Sequence, residues 1–309
     1  MNPGRNLLLW ASQNKWMKNN IPGLFFVQKA LKRFMPGEDI EYALKEAIKF
    51  KQQGIGTVFT KLGENIISLE DAEKTTNHYL DVLNKIKNMN VPSEISLKLT
   101  QIGLDISEEA AGNNFEKIVK TASGENNFVW IDMEQSSYVD KTINFYKNFR
   151  KTYANTGICL QAYLKRTKSD INELIAISSN IRLVKGAYLE PEDIAFYDKT
   201  MVDKNYFDLA ETLLNCSKEK DVRAAFATHD TNLISRIIDY TSSEKISPER
   251  FEFQMLYGIK PSEQIRIARQ GYNIRVLISY GKAWYPWYMR RLAERPANIW
   301  FVLKNIFIK

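Results

Sequence analysis

Lys98, Asp132, Gln161, Arg182, Lys185, Thr228, His229 and Gln254 interrupt or close short apolar, β-branched runs of this sequence. A charge buried without a partner costs several kcal/mol, on the order of the whole stability margin of a domain. Any one of the charged residues among them would serve in a structural ion pair. Taken together, they read as the lining of a site that binds something polar. Gly186 follows Lys185 directly and would let the backbone approach a ligand closely.

A second group lies near the C-terminus, in Trp284-Tyr285-Pro286-Trp287-Tyr288-Met289-Arg290-Arg291-Leu292-Ala293-Glu294. Adjacent arginines on a helix point about 100° apart, so Arg290 and Arg291 can flank one carboxylate. Glu294 follows at i+4 and i+3 from them, the spacing of an ordinary surface salt bridge. The aromatic neighbourhood is unlike a plain solvated face. It suits a small acid with an apolar body.

These residues need a scaffold, and the chain supplies an alternation. The apolar runs are Ile55–Thr60, Ile95–Thr100, Asn127–Asp132, Ile158–Ala162, Ile181–Lys185, Val222–Thr228, Phe251–Tyr257 and Ile274–Ser279. Between them stand stretches of helical spacing: Asp39–Gln53, Ser68–Met89, Phe115–Ala122, Asp140–Ala154, Ser169–Ser178, Asp203–Lys218, Asn232–Tyr240 and Ser262–Gln270. The runs are mostly apolar, as strands buried on both faces are. This alternation predicts an α/β fold, a distorted (β/α)8 barrel, over residues 39–309, with an N-terminal helical arm over 1–38. An open doubly wound sheet would bring a Gly-rich turn after its first strand, and there is no GxGxxG or GxxxxGK[ST]. On a barrel, the polar residues above fall where strands end and βα loops begin, which is where chemistry belongs.

Composition narrows the class. With 309 residues, 44% hydrophobic, the chain can bury a sizeable core, and disorder is excluded. Two cysteines, Cys159 and Cys216, make no disulfide framework. Two histidines, His78 and His229, argue against a multi-histidine metal site. No apolar stretch is long enough for a transmembrane helix, and no secretory signal pattern opens the chain, so the expected location is cytoplasmic. The net charge of +7 is dispersed, which argues against nucleic acid as a partner. The bias is strongest from Met1 to Arg33, where Arg5, Lys15, Lys18, Lys29, Lys32 and Arg33 interleave with Trp10, Trp16, Phe25 and Phe26. That stretch reads as an arm packed on the main domain or as a peripheral contact with anionic lipid.

The segments Ser96-Leu97-Lys98-Leu99, Gln161-Ala162-Tyr163, Arg182-Leu183-Val184-Lys185-Gly186-Ala187-Tyr188, Phe226-Ala227-Thr228-His229, Phe253-Gln254-Met255-Leu256-Tyr257-Gly258 and Tyr288 to Glu294 occur in that order. In this the chain resembles the proline dehydrogenase family, and most of all its short, single-function bacterial members. The resemblance covers essentially the whole chain. It implies a distorted barrel that binds FAD and oxidises L-proline to 1-pyrroline-5-carboxylate, with electrons passed to a quinone. It implies that Arg290, Arg291 and Lys98 grip the substrate carboxylate. Arg182 would stand beside the flavin ring, with Asp132 orienting the cationic residues. Gln161 and Met133 would contact the ring. Val184, Lys185, Gly186 and Ala187 would lie against the cofactor, with Lys185 offering charge to phosphate. Thr228, His229 and Glu294 would complete its binding. Glu64 would pair with Arg291 as a gate. No His or Cys stands in a flavin-linkage motif, so the FAD is expected to be non-covalent.

The sequence departs from the family pattern in the substrate pocket. Leu277 stands on the eighth strand where the family has a tyrosine, and Trp287 replaces a second tyrosine three residues before Arg290. These departures leave flavin binding untouched and open the alternative of a related imino or N-alkylated amino acid, such as hydroxyproline. A flavin-free barrel enzyme acting on a phosphorylated or acidic substrate is a further reading of the same residues.

Overall fold

The computed structural model describes residues 8, 10, 11, 14–20, 31–63, 66–220 and 222–294. Eight parallel strands close into a barrel in sequence order: β1 (Gly56–Lys61), β2 (Ser93–Leu97), β3 (Val129–Ile131), β4 (Thr156–Gln161), β5 (Asn180–Val184), β6 (Ala224–Ala227), β7 (Phe251–Leu256) and β8 (Ile274–Tyr280). β8 returns to β1, with Thr60 opposite Ser279. The helices are α1 (Lys15–Asn20), α2 (Ile40–Lys51), α3 (Leu69–Met89), α4 (Glu108–Gly124), α5 (Val139–Arg150), α6 (Thr167–Ala176), α7 (Lys199–Glu219), α8 (Thr231–Ser243), α9 (Pro261–Arg269) and α10 (Trp284–Glu294). The expected fold class is therefore the observed one.

Most of the apolar core lies between the barrel and its helices. Phe59, Ile95, Ile131, Leu160, Leu183, Phe226, Met255 and Ile278 point outward from the strands to meet side chains such as Tyr79, Phe115, Tyr206 and Ile237. The opposite, inward faces are unusually polar for a barrel interior, which branched aliphatics ordinarily fill. Val58, Trp130, Ala225 and Leu277 supply a small apolar layer there. Below it lie Glu94, Arg223, Glu252 and Arg275, joined by ion pairs of 2.6–3.1 Å.

Two of the boundaries that differ from expectation have a visible local cause. β2 stops at Leu97, and Leu99–Ile102 form a 3-10 turn, so Lys98 lies just past the strand. The Gln101 side chain causes this, accepting from the Lys98 amide (3.1 Å) and donating to the Lys61 and Gly63 carbonyls. α4 runs from Glu108 rather than Phe115, because Ser107 caps it by accepting from the Ala110 amide.

Leu8, Ala11, Leu31 and Met35 form a separate cluster with Leu62 and with Trp284, Tyr285, Tyr288, Met289 and Leu292 of α10. The Trp284 indole donates to Glu38 at 3.1 Å. Gly258, at φ +73°, passes so close to Arg33 that a β-carbon would sit 1.6 Å from its carbonyl oxygen. Backbone from the N-terminal stretch thus lies against the end of β7 and under α10.

Candidate active site

A cavity of about 560 Å³ opens at the C-terminal ends of the strands. Lys98, Asp132, Met133, Gln161, Arg182, Val184, Lys185, Gly186, Ala187, Thr228, His229, Leu277 and Trp287 all line it. The other expected residues fall differently. Glu64 lies outside the described residues, as do the side chains of Arg290, Arg291 and Glu294. Arg290 and Arg291 follow Trp287 by three and four positions along α10, one helical turn on.

Arg182, only 2% exposed, is the most heavily partnered group in the site. Its guanidinium pairs with Asp132, donates to Ser96 Oγ at 2.9 Å and to Gln254 Oε1 at 3.3 Å, and lies 5.2 Å from the centroid of the Trp130 ring. Asp132 Oδ1 also accepts from the Ser96 hydroxyl. Burial disfavours the charge on Arg182, and Asp132 opposite it, together with Cys159 and Glu252, more than restores that charge. Cys159 sits beside this pair, where burial raises its thiol pKa.

Lys98 is 9% exposed and has no carboxylate partner among the described residues. Lys185 differs. It is held between Asp203 and Asp230 at the cavity edge, with Lys199 beside them. Asp230 is partly buried, which would raise its pKa. Lys185 and Lys199 outweigh that and hold it at about 2. Lys185 lines the cavity as expected, and the two lysines and two aspartates balance in charge.

Gly186 has φ +118°, and a β-carbon there would meet the Tyr163 ring at 2.1 Å. The glycine is required by backbone conformation and by Tyr163, rather than only by a ligand. Thr228 Oγ1 accepts from the Asp230 amide at 3.1 Å, and His229 Nε2 from the Leu256 amide at 3.4 Å, so both also shape the loops after β6 and β7. Gln161 Oε1 and Ser279 Oγ are buried at the cavity without a hydrogen-bond partner among the described residues. Sequence reasoning passed over Ser96, Ser279, Asp203 and Asp230, and over the ion pairs of Glu94 and Glu252. Glu94 and Glu252 interrupt apolar runs at strand starts and Ser96 and Ser279 near strand ends, whereas Asp203 lies on α7 and Asp230 caps α8, outside those runs. Among the described residues, no cluster of His, Cys, Asp and Glu could hold a metal ion.

Fold and site together define a (β/α)8 barrel protein with a polar mouth in which Lys98 is left to meet an anionic organic ligand, the other cations of the described lining being paired with aspartates. The chain belongs to the proline dehydrogenase family, whose model, "Proline dehydrogenase", matches residues 43–304. It is 36% identical to proline dehydrogenase 1 of Bacillus subtilis (strain 168) over 305 residues, 99% of each chain. It is 33% identical to proline dehydrogenase of Deinococcus radiodurans over 279 residues, 89% of each chain. The crystal structure of proline utilization A from Bdellovibrio bacteriovorus, inactivated by N-propargylglycine, superposes with a TM-score of 0.80 at 24% identity. That match covers 96% of this chain and 39% of that one, and shows the shared barrel.

Proposed function

We propose that this chain oxidises L-proline to 1-pyrroline-5-carboxylate with a non-covalently bound FAD and hands the electrons to a quinone. The observation that carries this reading is the placement of a buried, fully partnered Arg182 on the wall of a cavity that also holds Lys98.

The residues present fit a flavin nucleotide. One small imino acid fills only a fraction of 560 Å³, whereas cofactor-sized ligands occupy clefts of roughly 300–1,000 Å³. The buried Gln161 Oε1 needs a donor, and a flavin ring edge supplies one. Gln161, Met133, Val184 and Ala187 would hold the ring, with Thr228 and His229 toward the nucleotide end. When bound, FAD supplies the hydride acceptor. The chain does the rest. Arg182 presents positive charge where electron density accumulates. Asp132, engaged by Arg182 and Ser96, fixes that guanidinium rather than taking a proton. Lys98, with Arg290 and Arg291 from α10, would hold the carboxylate and so orient the ring carbon next to nitrogen.

Leu277 supports the second reading, a related imino acid. It is half-buried against Val58 and Trp130 and lines the cavity, so this wall is apolar and carries no phenol. Exposed Trp10 and Trp16, 58% and 69% accessible, support peripheral contact with the inner face of the membrane, and the proposed location is cytoplasmic. No helix among the described residues is long and apolar enough to cross a membrane.

The experiment is an assay of purified protein with an artificial electron acceptor, screening proline, hydroxyproline and N-alkylated amino acids, with chemical trapping of the cyclic imine product. Proline should turn over, and acid precipitation should leave all flavin in the supernatant. Turnover of another amino acid alone would move the assignment to the second reading, and protein without flavin would overturn both.

A further inference from the structure

The barrel interior below the cavity holds a continuous chain of hydrogen bonds that ends on Arg182. Glu252 is buried and carries a lowered pKa: burial opposes ionisation, and Arg223 and Arg275 overcome it. Its Oε2 accepts from Arg223 Nη2 at 2.6 Å and from Arg275 Nε at 3.1 Å. Its Oε1 accepts from Gln254 Nε2 at 2.6 Å. A carboxylate only accepts, so the Gln254 amide has one permitted orientation, with Oε1 facing Arg182. Arg182 Nη1 donates to that oxygen at 3.3 Å.

Charge balance sharpens the point. Glu94 and Glu252 cancel Arg223 and Arg275, and Asp132 cancels Arg182. The lower quartet adds no net charge to the site. What it transmits is direction: an anion that locks an amide, which in turn holds one arm of a guanidinium. With Ser96 and Asp132 on the other arm, Arg182 is gripped from both sides.

We infer that Gln254, locked by Glu252, is a positioning residue that sets the placement of Arg182 for the redox step. This rests on the reading of Arg182 as the cation beside the redox centre. Glu252 cannot be removed cleanly, because Arg223 and Arg275 would keep only Glu94 as a buried counter-ion, so Gln254 is the residue to change.

The test compares holoenzyme carrying Gln254→Met, Arg182→Met or both. Gln254→Met keeps the side-chain length and loses both hydrogen bonds. Gln254→Asn keeps the amide but falls one methylene short, and serves if the methionine variant folds poorly. We expect kcat to fall about tenfold in Gln254→Met with KM for proline little changed, and more in Arg182→Met. The double variant should be no slower than Arg182→Met alone, because Gln254 acts only through that guanidinium. The midpoint potential of the bound flavin should move to more negative values in both single variants. Multiplicative losses in the double variant, or a Gln254→Met enzyme with wild-type kcat and potential, would overturn the inference. Wild-type behaviour of Arg182→Met would instead overturn the reading of Arg182, and this inference with it.

Discussion

Lys98 and Arg182 show how differently two buried cations can be held. Arg182 has its counter-ion in Asp132, whereas the ammonium of Lys98 has none among the described residues. A cation of that kind is a standing attraction for an anionic ligand. Replacing Lys98 with Met should leave flavin content unchanged and raise KM for proline by roughly 10- to 100-fold, the loss of one hydrogen bond to a charged group. An unchanged KM would remove Lys98 from the carboxylate site. Leu277 belongs at this scale too. Leu277→Tyr should shift kcat/KM toward proline over bulkier imino acids by about tenfold, because one packing contact or hydrogen bond is worth roughly 1–3 kcal/mol. If the ratio stays put, Trp287 already fills that wall.

The barrel strands were largely legible in the sequence, because each apolar run is bounded by turn residues and each strand is buried on both faces. The places that were not legible have local causes. Gln101 lies outside the second run, yet its amide pulls Lys98–Ile102 out of the strand. The helical stretch read from Phe115 begins at Glu108, because Ser107 caps it, and Asn114 within it donates to the Ile102 carbonyl. Nothing in spacing announces that Glu94 meets Arg223 across the barrel, 129 residues on. The strand-end residues of the site were readable because the fold itself assigns chemistry to those ends. The seam between the N-terminal stretch and the barrel carries the prediction for this scale. Gly258→Ala places a methyl group where the Arg33 carbonyl stands, in a backbone region unsuited to L side chains. Trypsin cleavage after Lys32 and Arg33 should become several-fold faster while the barrel keeps its far-ultraviolet circular dichroism. Unchanged cleavage would mean that this contact does not hold the segment down.

For the molecule as a whole, stability and function report separately. His78 is half-buried beside Lys61 and hydrogen-bonded to the Tyr280 hydroxyl at 2.9 Å, and burial lowers its pKa from 6.5 to about 4. Between those values the unfolded chain binds a proton that the folded one does not, so stability rises with pH across this window. The contribution is complete above pH 6.5 and is lost as pH falls toward 4. His78→Gln should flatten the dependence of Tm on pH in that interval. A slope identical to wild type would assign it to other groups. Function is tested most directly by mixing the purified holoenzyme with L-proline in the absence of oxygen and any acceptor, and recording the visible flavin spectrum. The flavin band should bleach at a rate that saturates with proline concentration, with one cyclic imine formed per flavin reduced. A flavin that stays oxidised at saturating proline would contradict proline oxidation at this site.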